Sequence, residues 1–525
     1  MQTNTSLDAD RHPPWPRTLV RGPQRHQVRR RFKLGSGYPV RVRLAGAEWS
    51  GQVADTIYDV VIIGGGPGGY TAAFRGAEYG LKVALIEKTD KLGGTCLHWG
   101  CVPTKALLFN AEIWDHLQHA ADFGIEGTGT PTLNWPAVQQ RKDGIIVKHT
   151  KGLDFLVRKH KVARLQGYGR LTGPAVGGVH TVAITGADGQ ISQIQAKSVI
   201  LASGSEARML PGLQPDDRIL TNIEILSLQQ APKSLVVIGA GAVGVEFSSM
   251  FRTFGADVTL LEFLPRIVAV EDEEVSKELT RLFKKRGIDV NTGAKVETVT
   301  RTETGVQVSY TDVNGKPQTK EAEKVLVAVG RAPRTTDLGL EKTRIELERG
   351  FVKVDEAQQT AEPGVYAIGD IVSGLPQLAH VGMMAGMVAV AKIAGKDFRP
   401  IRRDRIPACT YTEPQIGSVG LTESQAKEKG YEVKVGKFPF AGNSKATILG
   451  SHDGFVKVVS DAKYGEILGV HILGPGATDL IAEAVAVLKL EGTIEEMMFT
   501  IHAHPTLSES LLDGYSAVEG MAINA

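Results

Sequence analysis

Cysteine is scarce in this chain, with three residues among 525. This scarcity argues against a fold held together by a disulfide framework, and it is typical of proteins that work in a reducing compartment. Long hydrophobic runs are also missing. No stretch of eighteen consecutive apolar residues occurs, so we expect no membrane span. The formal net charge is only +2, and we expect no nucleic-acid partner.

Two of the three cysteines, Cys96 and Cys101, lie five positions apart in the glycine-rich segment LGGTCLHWGCVPTKALL, residues 92–108. A close pair in a reducing compartment is typically catalytic or metal-binding. Tetrahedral zinc needs four ligands, and no second Cys or His pair at ligand spacing follows, so we expect no metal. Redox exchange is favoured, and two unpaired buried thiols are the alternative. The third, Cys409, is predicted to be a buried structural thiol in an apolar strand.

The spacing of the pair has a geometric consequence. Five residues of regular α-helix rise about 7.5 Å, whereas a disulfide needs Cα atoms closer than about 7 Å. If Cys96 and Cys101 bond to each other, the helical turn between them must therefore be distorted. Gly100 supplies the backbone freedom for this distortion.

A first dinucleotide-binding unit precedes the cysteines. Residues 58–63 form a β-rich run, residues 64–69 (GGGPGG) form a turn, and a helical stretch reaches Tyr79. A second strand over residues 82–86 ends in Glu87. Such glycines let the backbone approach a pyrophosphate at a helix N-terminus, and the acid can bind ribose hydroxyls. The predicted ligands here are Gly64, Gly66, Gly69 and Glu87.

The same unit recurs with strand 234–238, turn 239–244 (GAGAVG) and Glu262. The first glycine and the acid are 23 residues apart in both copies, from 64 to 87 and from 239 to 262. Each copy is followed by an apolar run that ends in glycine, as a buried return strand would. The chain therefore has two predicted dinucleotide sites, and the second comprises Gly239, Gly241, Gly244, Glu262 and Gly330.

The acid of the second copy favours NAD over NADP. A carboxylate at this strand end binds a free 2′-hydroxyl and repels a 2′-phosphate. Arg266, four residues further on, leaves NADP open.

These motifs together resemble the flavoprotein disulfide reductases. The likeness runs from about Tyr58 to the C-terminus and rests on GGTCLHWGCVPTK, both glycine turns, TAEPGVYAIGD (360–370), Leu378-Ala379-His380 and HAHPTLSES (502–510). It implies an α/β fold with two Rossmann-like dinucleotide-binding domains, for FAD and then NAD, and a C-terminal α+β dimerisation domain. Within the family, the chain is most similar to members that oxidise a protein-bound dihydrolipoyl group with NAD⁺.

The resemblance also implies the roles of individual residues. Cys96 and Cys101 form the redox disulfide, His504 is the general acid–base, and Glu509 orients its ring. The implied cofactor residues beyond the two turns are Lys105, which pairs with Glu246 near the flavin, Asp370 on the ribityl chain, and Ala379. Alternatives are another NAD(P)H-dependent flavoprotein disulfide reductase, or a redox-silent flavoprotein subunit of a larger complex.

The resemblance implies a homodimer in which His504 reaches the disulfide of the other subunit. The implied partner is the lipoyl domain of an acyltransferase or a glycine-cleavage carrier protein. We expect a basic extension over 1–55, an FAD domain over 56–205, an NAD domain over 206–335, a central return over 336–400 and an interface domain over 401–525. A cytoplasmic location is expected, or the mitochondrial matrix if 1–55 is a transit peptide. A disordered extension is a second interpretation of these 55 residues, and a basic arm that contacts nucleic acid or an acidic partner is a third.

Overall fold

The computed structural model describes residues 56–127 and 129–524, together with the main chain of Arg43–Leu44 and Ala47–Glu48, which form a short antiparallel pair. The prediction for the rest of the basic extension falls outside the described residues.

The first glycine turn belongs to a sheet whose inner strands are parallel. The strands Val83–Glu87 and Ile57–Ile63 are almost entirely buried, because helices and loops cover both faces of a parallel sheet. The strand order is Ala163–Gln166, Val83–Glu87, Ile57–Ile63, Ile191–Leu201, His180–Thr185 and Tyr168–Leu171, and Val365–Ala367 also pairs in parallel with Ile191–Leu201. The chain therefore leaves this sheet after residue 201 and returns to it at residue 365.

The second glycine turn belongs to a separate sheet of five parallel strands. Their order is Ile219–Leu220, Lys324–Val327, Ser234–Ile238, Asp257–Glu262 and Asp289–Thr292. An antiparallel sheet of Lys295–Arg301, Val306–Thr311 and Pro317–Ala322 covers part of it. The predicted strand and acid positions of both glycine units are present. Strand 234–238 has the predicted ends, and the ends of the other two strands differ from prediction by at most one residue.

The C-terminal part contains an antiparallel sheet of five strands. Their order is Ala408–Thr410, Gln415–Gly420, Ile467–Gly474, Phe455–Asp461 and Val433–Pro439. Helix Ala477–Lys489 packs on one side through Ile481 and Ala484, and helix Glu509–Val518 packs through Leu511 and Tyr515.

Thirteen α-helices lie within the described residues. They are Pro67–Glu78, Gly94–Trp99, Cys101–Gln118, Trp135–Lys159, Asn222–Ile225, Ala242–Thr253, Glu273–Lys285, Ala379–Ile393, Glu423–Glu428, Ser444–Ile448, Ala477–Lys489, Ile494–Met498 and Glu509–Val518. None of them is long and apolar enough to cross a membrane.

Close helix contacts bring the later parts of the chain to the first glycine turn. Helix Ala379–Ile393 lies against helix Pro67–Glu78, and a Cβ added at Gly386 would stand 2.7 Å from the carbonyl oxygen of Gly68. Only glycine allows this approach, which places Ala379 beside the first turn. The helix that begins at Cys101 packs in the same way against helix Ala242–Thr253 of the second unit, and Leu107 joins their shared core.

Candidate active site: two clefts with a shared wall

A deep cleft opens at the carboxyl ends of the first parallel strands, where ligands bind in open α/β sheets. Its walls come from segments that are far apart in sequence. They are the first glycine turn, the cysteine-containing segment 92–108 (called the redox segment below), the residues after strand Ile191–Leu201, and the start of helix Ala379–Ile393. The predicted residues lining it are Gly64, Gly66, Gly69, Glu87, Cys96, Cys101, Lys105, Glu246, Asp370 and Ala379.

The two glycine turns share one geometry. Gly64 and Gly239 both have positive φ, of 112° and 101°, and a Cβ on either would strike the carbonyl oxygen of the return strand at 2.1 and 2.5 Å. A Cβ on Gly69 would stand 1.8 Å from the carbonyl oxygen of Gly64, and one on Gly244 equally close to that of Gly239. Gly244 therefore supports the second turn from beneath and does not line its cleft.

The middle glycines, Gly66 and Gly241, face open space instead. A Cβ on Gly66 would meet nothing closer than 3.9 Å, and one on Gly241 would meet nothing within 4 Å. Each residue precedes a helix whose first turn has no side-chain cap. The free N–H groups and the open approach fit a pyrophosphate at both turns. The start of helix Ala379–Ile393 is likewise uncapped and faces the first cleft.

The two acids also behave alike. Glu87 accepts hydrogen bonds from the N–H of Gly65 at 2.8 Å and of Thr89 at 2.9 Å. Glu262 accepts from the N–H of Ala240 at 2.5 Å and of Leu264 at 2.8 Å. Each carboxylate is thus fixed at the edge of its cleft and, with about four acceptor positions, keeps capacity for ribose hydroxyls.

Arg266 does not line the second cleft. Its guanidinium donates to the carbonyl oxygen of Glu271 at 2.7 Å and lies away from the cleft walls. The one cation that left NADP open is therefore engaged elsewhere. The second cleft is lined by one carboxylate, Glu262, and by the cations Lys295 and Arg331.

The redox segment is broken where its spacing requires a distortion. Helix Gly94–Trp99 ends before Gly100, and a new helix begins at Cys101. Both cysteines are free thiols, and Cys101 is the more exposed. A hydrogen bond from the Cys96 thiol lowers the pKa of Cys101 to about 7 against the opposing effect of burial, and the charge of Lys105 assists. The same bond raises the pKa of the donor, Cys96.

Lys105 is held beside the thiols by Glu246. Its Nζ lies 2.8 Å from both carboxylate oxygens, and it also sits over the ring of Tyr411 at 4.4 Å. The Tyr411 N–H donates to Glu246 at 2.9 Å. Helix Cys101–Gln118, helix Ala242–Thr253 and the residue after strand Ala408–Thr410 therefore meet at the Lys105–Glu246 ion pair. A cation fixed here stabilises negative charge in the cleft.

Asp370 lies in a single 3₁₀ turn, Gly369–Ile371, on the opposite wall. The hydroxyl of Ser205 donates to its carboxylate at 2.5 Å. Ser205 in turn accepts from Arg331 at 2.7 Å. Sequence reasoning identified Asp370 but missed both of these neighbours.

A second cleft opens at the second glycine turn. It is lined by Gly239, Gly241, Glu262 and Gly330, together with Phe263 and the residues around Val327. Asn222, Ala242, Val243 and Arg331 line both clefts and so form a shared wall.

His504 and Glu509 lie outside both clefts of their own chain. His504 Nδ1 is 2.9 Å from Glu509, and because a carboxylate only accepts, Nδ1 donates and Nε2 is left as the basic nitrogen. Its side chain is 71% exposed. Although burial opposes it, hydrogen bonds from the Thr506 N–H and from His504 lower the pKa of Glu509. His502 is instead buried against Glu483 at 3.1 Å.

The prediction for Cys409 needs a correction. The residue does lie in a strand, but it is only half-buried and lines the first cleft, where burial raises its pKa to about 11. The polar residues that sequence reasoning missed include Ser203, Ser205, Asn222 and Arg331, which line the first cleft, and Tyr411, which contacts Lys105 and Glu246. For Ser205 and Arg331 a signal existed, because each directly follows the glycine that ends an apolar return run in the sequence, and ligands bind beyond the carboxyl ends of such strands.

A reactive thiol pair beside a dinucleotide cleft, with a second such cleft across a shared wall, defines an oxidoreductase that exchanges electrons between a disulfide and a nicotinamide nucleotide. The chain belongs to the pyridine nucleotide-disulphide oxidoreductase family. Residues 58–386 match the family's main model, and residues 406–514 match its dimerisation domain, which supports a homodimer.

Relatives within this family are similar over nearly their whole length. The chain is 45% identical to the dihydrolipoyl dehydrogenase of Bacillus subtilis, covering 89% of this chain and 99% of the relative. It is 41% identical to that of Chlorobaculum tepidum, covering 90% and 100%. The crystal structure of LpdA from Mycobacterium tuberculosis matches with a TM-score of 0.80 at 30% identity, covering 87% of this chain and 98% of that one.

Proposed function

We propose that this protein is a dihydrolipoyl dehydrogenase, which oxidises a protein-bound dihydrolipoyl group and reduces NAD⁺. The observation that carries the proposal is the position of Cys96 and Cys101, which line the first cleft next to the wall shared with the second. Relatives 41 to 45% identical over nearly their full length bear this name. Their name is the reason why we propose a dihydrolipoyl group as the dithiol substrate.

FAD in the first cleft would be held by Gly64, Gly66, Gly69 and Glu87 at its adenosine diphosphate, by Asp370 at the ribityl chain, and by Lys105 and Ala379 near the ring. NAD in the second would be held by Gly239, Gly241, Gly330 and Glu262, with Gly244 supporting the turn. When bound, FAD takes two electrons from the enzyme dithiol and gives them to NAD⁺ as a hydride.

The thiol steps begin from the Cys96–Cys101 disulfide. A substrate thiolate attacks Sγ of Cys96, the S–S bond breaks, and Cys101 leaves as a thiolate, which its pKa of about 7 favours. The second substrate thiol then displaces Cys96, which closes the lipoyl ring. The substrate loses two electrons and two protons. The enzyme dithiol holds both electrons, Cys96 carries one proton, and the acid–base histidine carries the other.

The acid–base histidine is His504 of the partner subunit. In its own chain His504 lies outside the cleft, no described residue hydrogen-bonds to its Nε2, and Glu509 fixes its tautomer. In this arrangement a single chain lacks the base that deprotonates the substrate.

NAD rather than NADP is the nucleotide, because Glu262 stands at the ribose position and Arg266 is bound to Glu271. The substrate arm belongs to the lipoyl domain of an acyltransferase or of a glycine-cleavage carrier protein. We place the protein in the cytoplasm. The proposal also keeps four domains: FAD over 56–205, NAD over 206–335, a central return over 336–400 and an interface domain over 401–525.

The test is anaerobic turnover of the FAD-loaded protein with dihydrolipoamide and NAD⁺, followed by the absorbance of NADH. We expect fast NADH formation by the wild type and none by Cys101→Ser, since the serine variant can form no redox disulfide. Cys409→Ser is the matched control, because this third thiol lines the cleft but has no role in the exchange.

The result that contradicts the proposal is a wild type that binds FAD, and whose FAD is reduced by NADH, but that does not oxidise dihydrolipoamide. Another disulfide substrate would then replace the lipoyl group, within the same family.

A further inference from the structure

Among the described residues, two polar side chains belong to the wall between the two clefts. Four residues line both clefts, and of these Ala242 and Val243 are apolar, whereas Asn222 and Arg331 carry hydrogen-bonding groups. A ligand that fills the second cleft reaches the polar contacts of the first cleft through these two side chains.

Asn222 binds the redox segment at its break. Helix Gly94–Trp99 ends at Trp99, whose carbonyl oxygen in a continuous helix would accept from the N–H of residue 103. That residue is Pro103, which has no N–H. The side-chain amide of Asn222 donates to this carbonyl instead, at 2.6 Å. A residue 123 positions away thus satisfies the backbone between Cys96 and Cys101.

Asn222 itself is firmly placed. It is the first residue of helix Asn222–Ile225, and Thr221 and Glu224 form a capping box at that end, with the Thr221 N–H donating to Glu224 at 2.8 Å. Its other amide atom, Oδ1, lies 3.5 Å from the guanidinium of Arg331. The side chain therefore has both ends engaged, one by the redox segment and one by the wall.

Arg331 continues the connection to the opposite side of the first cleft. Its guanidinium donates to the hydroxyl of Ser205 at 2.7 Å and to the carbonyl oxygen of Ser205 at 2.8 Å. Ser205 donates to Asp370. An unbroken series of hydrogen bonds runs from Trp99 through Asn222, Arg331 and Ser205 to Asp370.

We propose that Asn222 is a positioning residue of the redox segment, and that Asn222 and Arg331 couple occupancy of the nucleotide cleft to the reactivity of Cys101. This inference deepens the proposed function and rests on it. A nucleotide against the wall changes the bonds that Arg331 and Asn222 make, and the carbonyl of Trp99 shifts with them. Trp99 lies between Cys96 and Cys101 in the chain, so a shift of its carbonyl changes the position of one thiol relative to the other.

The test measures alkylation of Cys101 by iodoacetamide in the FAD-loaded, anaerobically reduced protein, with mass spectrometry of the Cys101 peptide. The rate is followed against pH, with and without 1,4,5,6-tetrahydro-NAD, an analogue that neither gives nor takes hydride. In the wild type we expect a midpoint near pH 7 and a change in rate of at least about fivefold when the analogue binds.

In Asn222→Ala we expect the midpoint to rise by about one pH unit, the scale of one lost hydrogen bond, and the response to the analogue to fall below about twofold. Arg331→Met should lose the response as well. Asn291→Ala is the matched control, since the side-chain amide of this half-buried asparagine hydrogen-bonds, among the described residues, only to Asp289, and it should behave as the wild type.

An unshifted midpoint or an undiminished response in an Asn222→Ala protein that binds FAD overturns the proposal. If Asn222→Ala does not fold, Asn222→Asp, which is nearly isosteric but cannot donate to the Trp99 carbonyl, replaces it, and its response to the analogue decides. No dihydrolipoamide is used, so failure here is distinct from a wild type that lacks lipoamide turnover.

Discussion

Two chemically identical thiols five residues apart acquire different acidities in this cleft. Cys101 accepts a hydrogen bond from Cys96, and this bond, helped by Lys105, lowers the pKa of Cys101 to about 7, whereas the pKa of Cys96 is raised. The asymmetry suits the two roles. A low pKa makes Cys101 the better leaving group when a substrate thiolate attacks the Cys96 sulfur of the disulfide, and in the reduced pair the proton stays on Cys96.

Two substitutions test whether the Cys96 thiol lowers the pKa of Cys101 by donating a hydrogen bond, because one removes the donor group and the other keeps it. Cys96→Ala removes the donor, so the pKa of Cys101 rises and its thiolate fraction at pH 7 falls. We expect alkylation there to slow by roughly fivefold, because a rise of one pKa unit from about 7 lowers the thiolate fraction at pH 7 from one half to about one eleventh. Cys96→Ser keeps a hydroxyl donor and should retain a midpoint near 7. The measurement is the pH profile of Cys101 alkylation, and equal profiles for the two variants would contradict the assignment.

The sequence predicted residues that lie in strong local patterns and missed residues that depend on distant contacts. Lys105 and Glu246 were paired by resemblance, and the structure places their charged groups 2.8 Å apart. Asn222 has no local pattern, because its function arises from a bond to Trp99 across 123 positions. Cys409 was expected to be buried, but the fold opens a cleft beside its strand.

At the scale of elements, each glycine turn is defined by three different steric demands. The first glycine needs positive φ and a close return strand, the third lies against the first, and the middle one faces the ligand. For the second turn these are Gly239, Gly244 and Gly241. Stability and binding therefore depend on different glycines of one turn.

Alanine substitutions at Gly244 and Gly241 should separate these two effects. In Gly244→Ala the new Cβ would stand 1.8 Å from the carbonyl oxygen of Gly239. We expect this overpacking to lower the free energy of unfolding by about 1–3 kcal/mol, measured by urea denaturation without NAD.

Gly241→Ala adds a Cβ into open space. It should unfold as the wild type does and raise the KM for NAD⁺ by roughly tenfold, because the pyrophosphate loses its close approach to the backbone. Loss of stability in Gly241→Ala, or wild-type stability in Gly244→Ala, would show that the two glycines have been assigned the wrong roles.

Strands and turns with a clear local sequence pattern could be predicted, whereas the pairing of strands that are distant in the sequence could not. Two strand–turn–helix units with acids at equal spacing specify two parallel sheets, which the structure contains. The return of Val365–Ala367 to the first sheet follows from pairing with Ile191–Leu201, across more than 160 residues. Only the family resemblance indicated that return, since a three-residue strand has no periodicity to detect.

At the scale of the whole molecule, one chain contains every predicted catalytic group but does not bring them together. Cys96 and Cys101 line the first cleft, whereas His504 and Glu509 lie outside it on the part that matches the dimerisation domain. His504 is 71% exposed, and Phe499 and Ile501 nearby are exposed at 80% and 96%. Large exposed apolar side chains around an exposed His–Glu pair are typical of a surface that a second copy covers.

Complementation between two inactive variants decides whether the active site is shared. Cys101→Ser lacks the redox pair and His504→Gln lacks the base, so each homodimer should be inactive. After the two proteins are unfolded together, refolded and reloaded with FAD, half of the dimers are mixed. In a mixed dimer the intact cysteines of one chain meet the intact His504 of the other, giving one working site of two. We therefore expect about one quarter of wild-type turnover from the mixture, because a two-fold interface pairs each site with the partner's residues. A site built within one chain predicts no recovery, since each chain of the mixed dimer carries its own defect. Wild type taken through the same refolding gives the reference rate, and a mixture of Cys101→Ser with Cys96→Ser, whose defects lie on the same side of the site, should stay inactive.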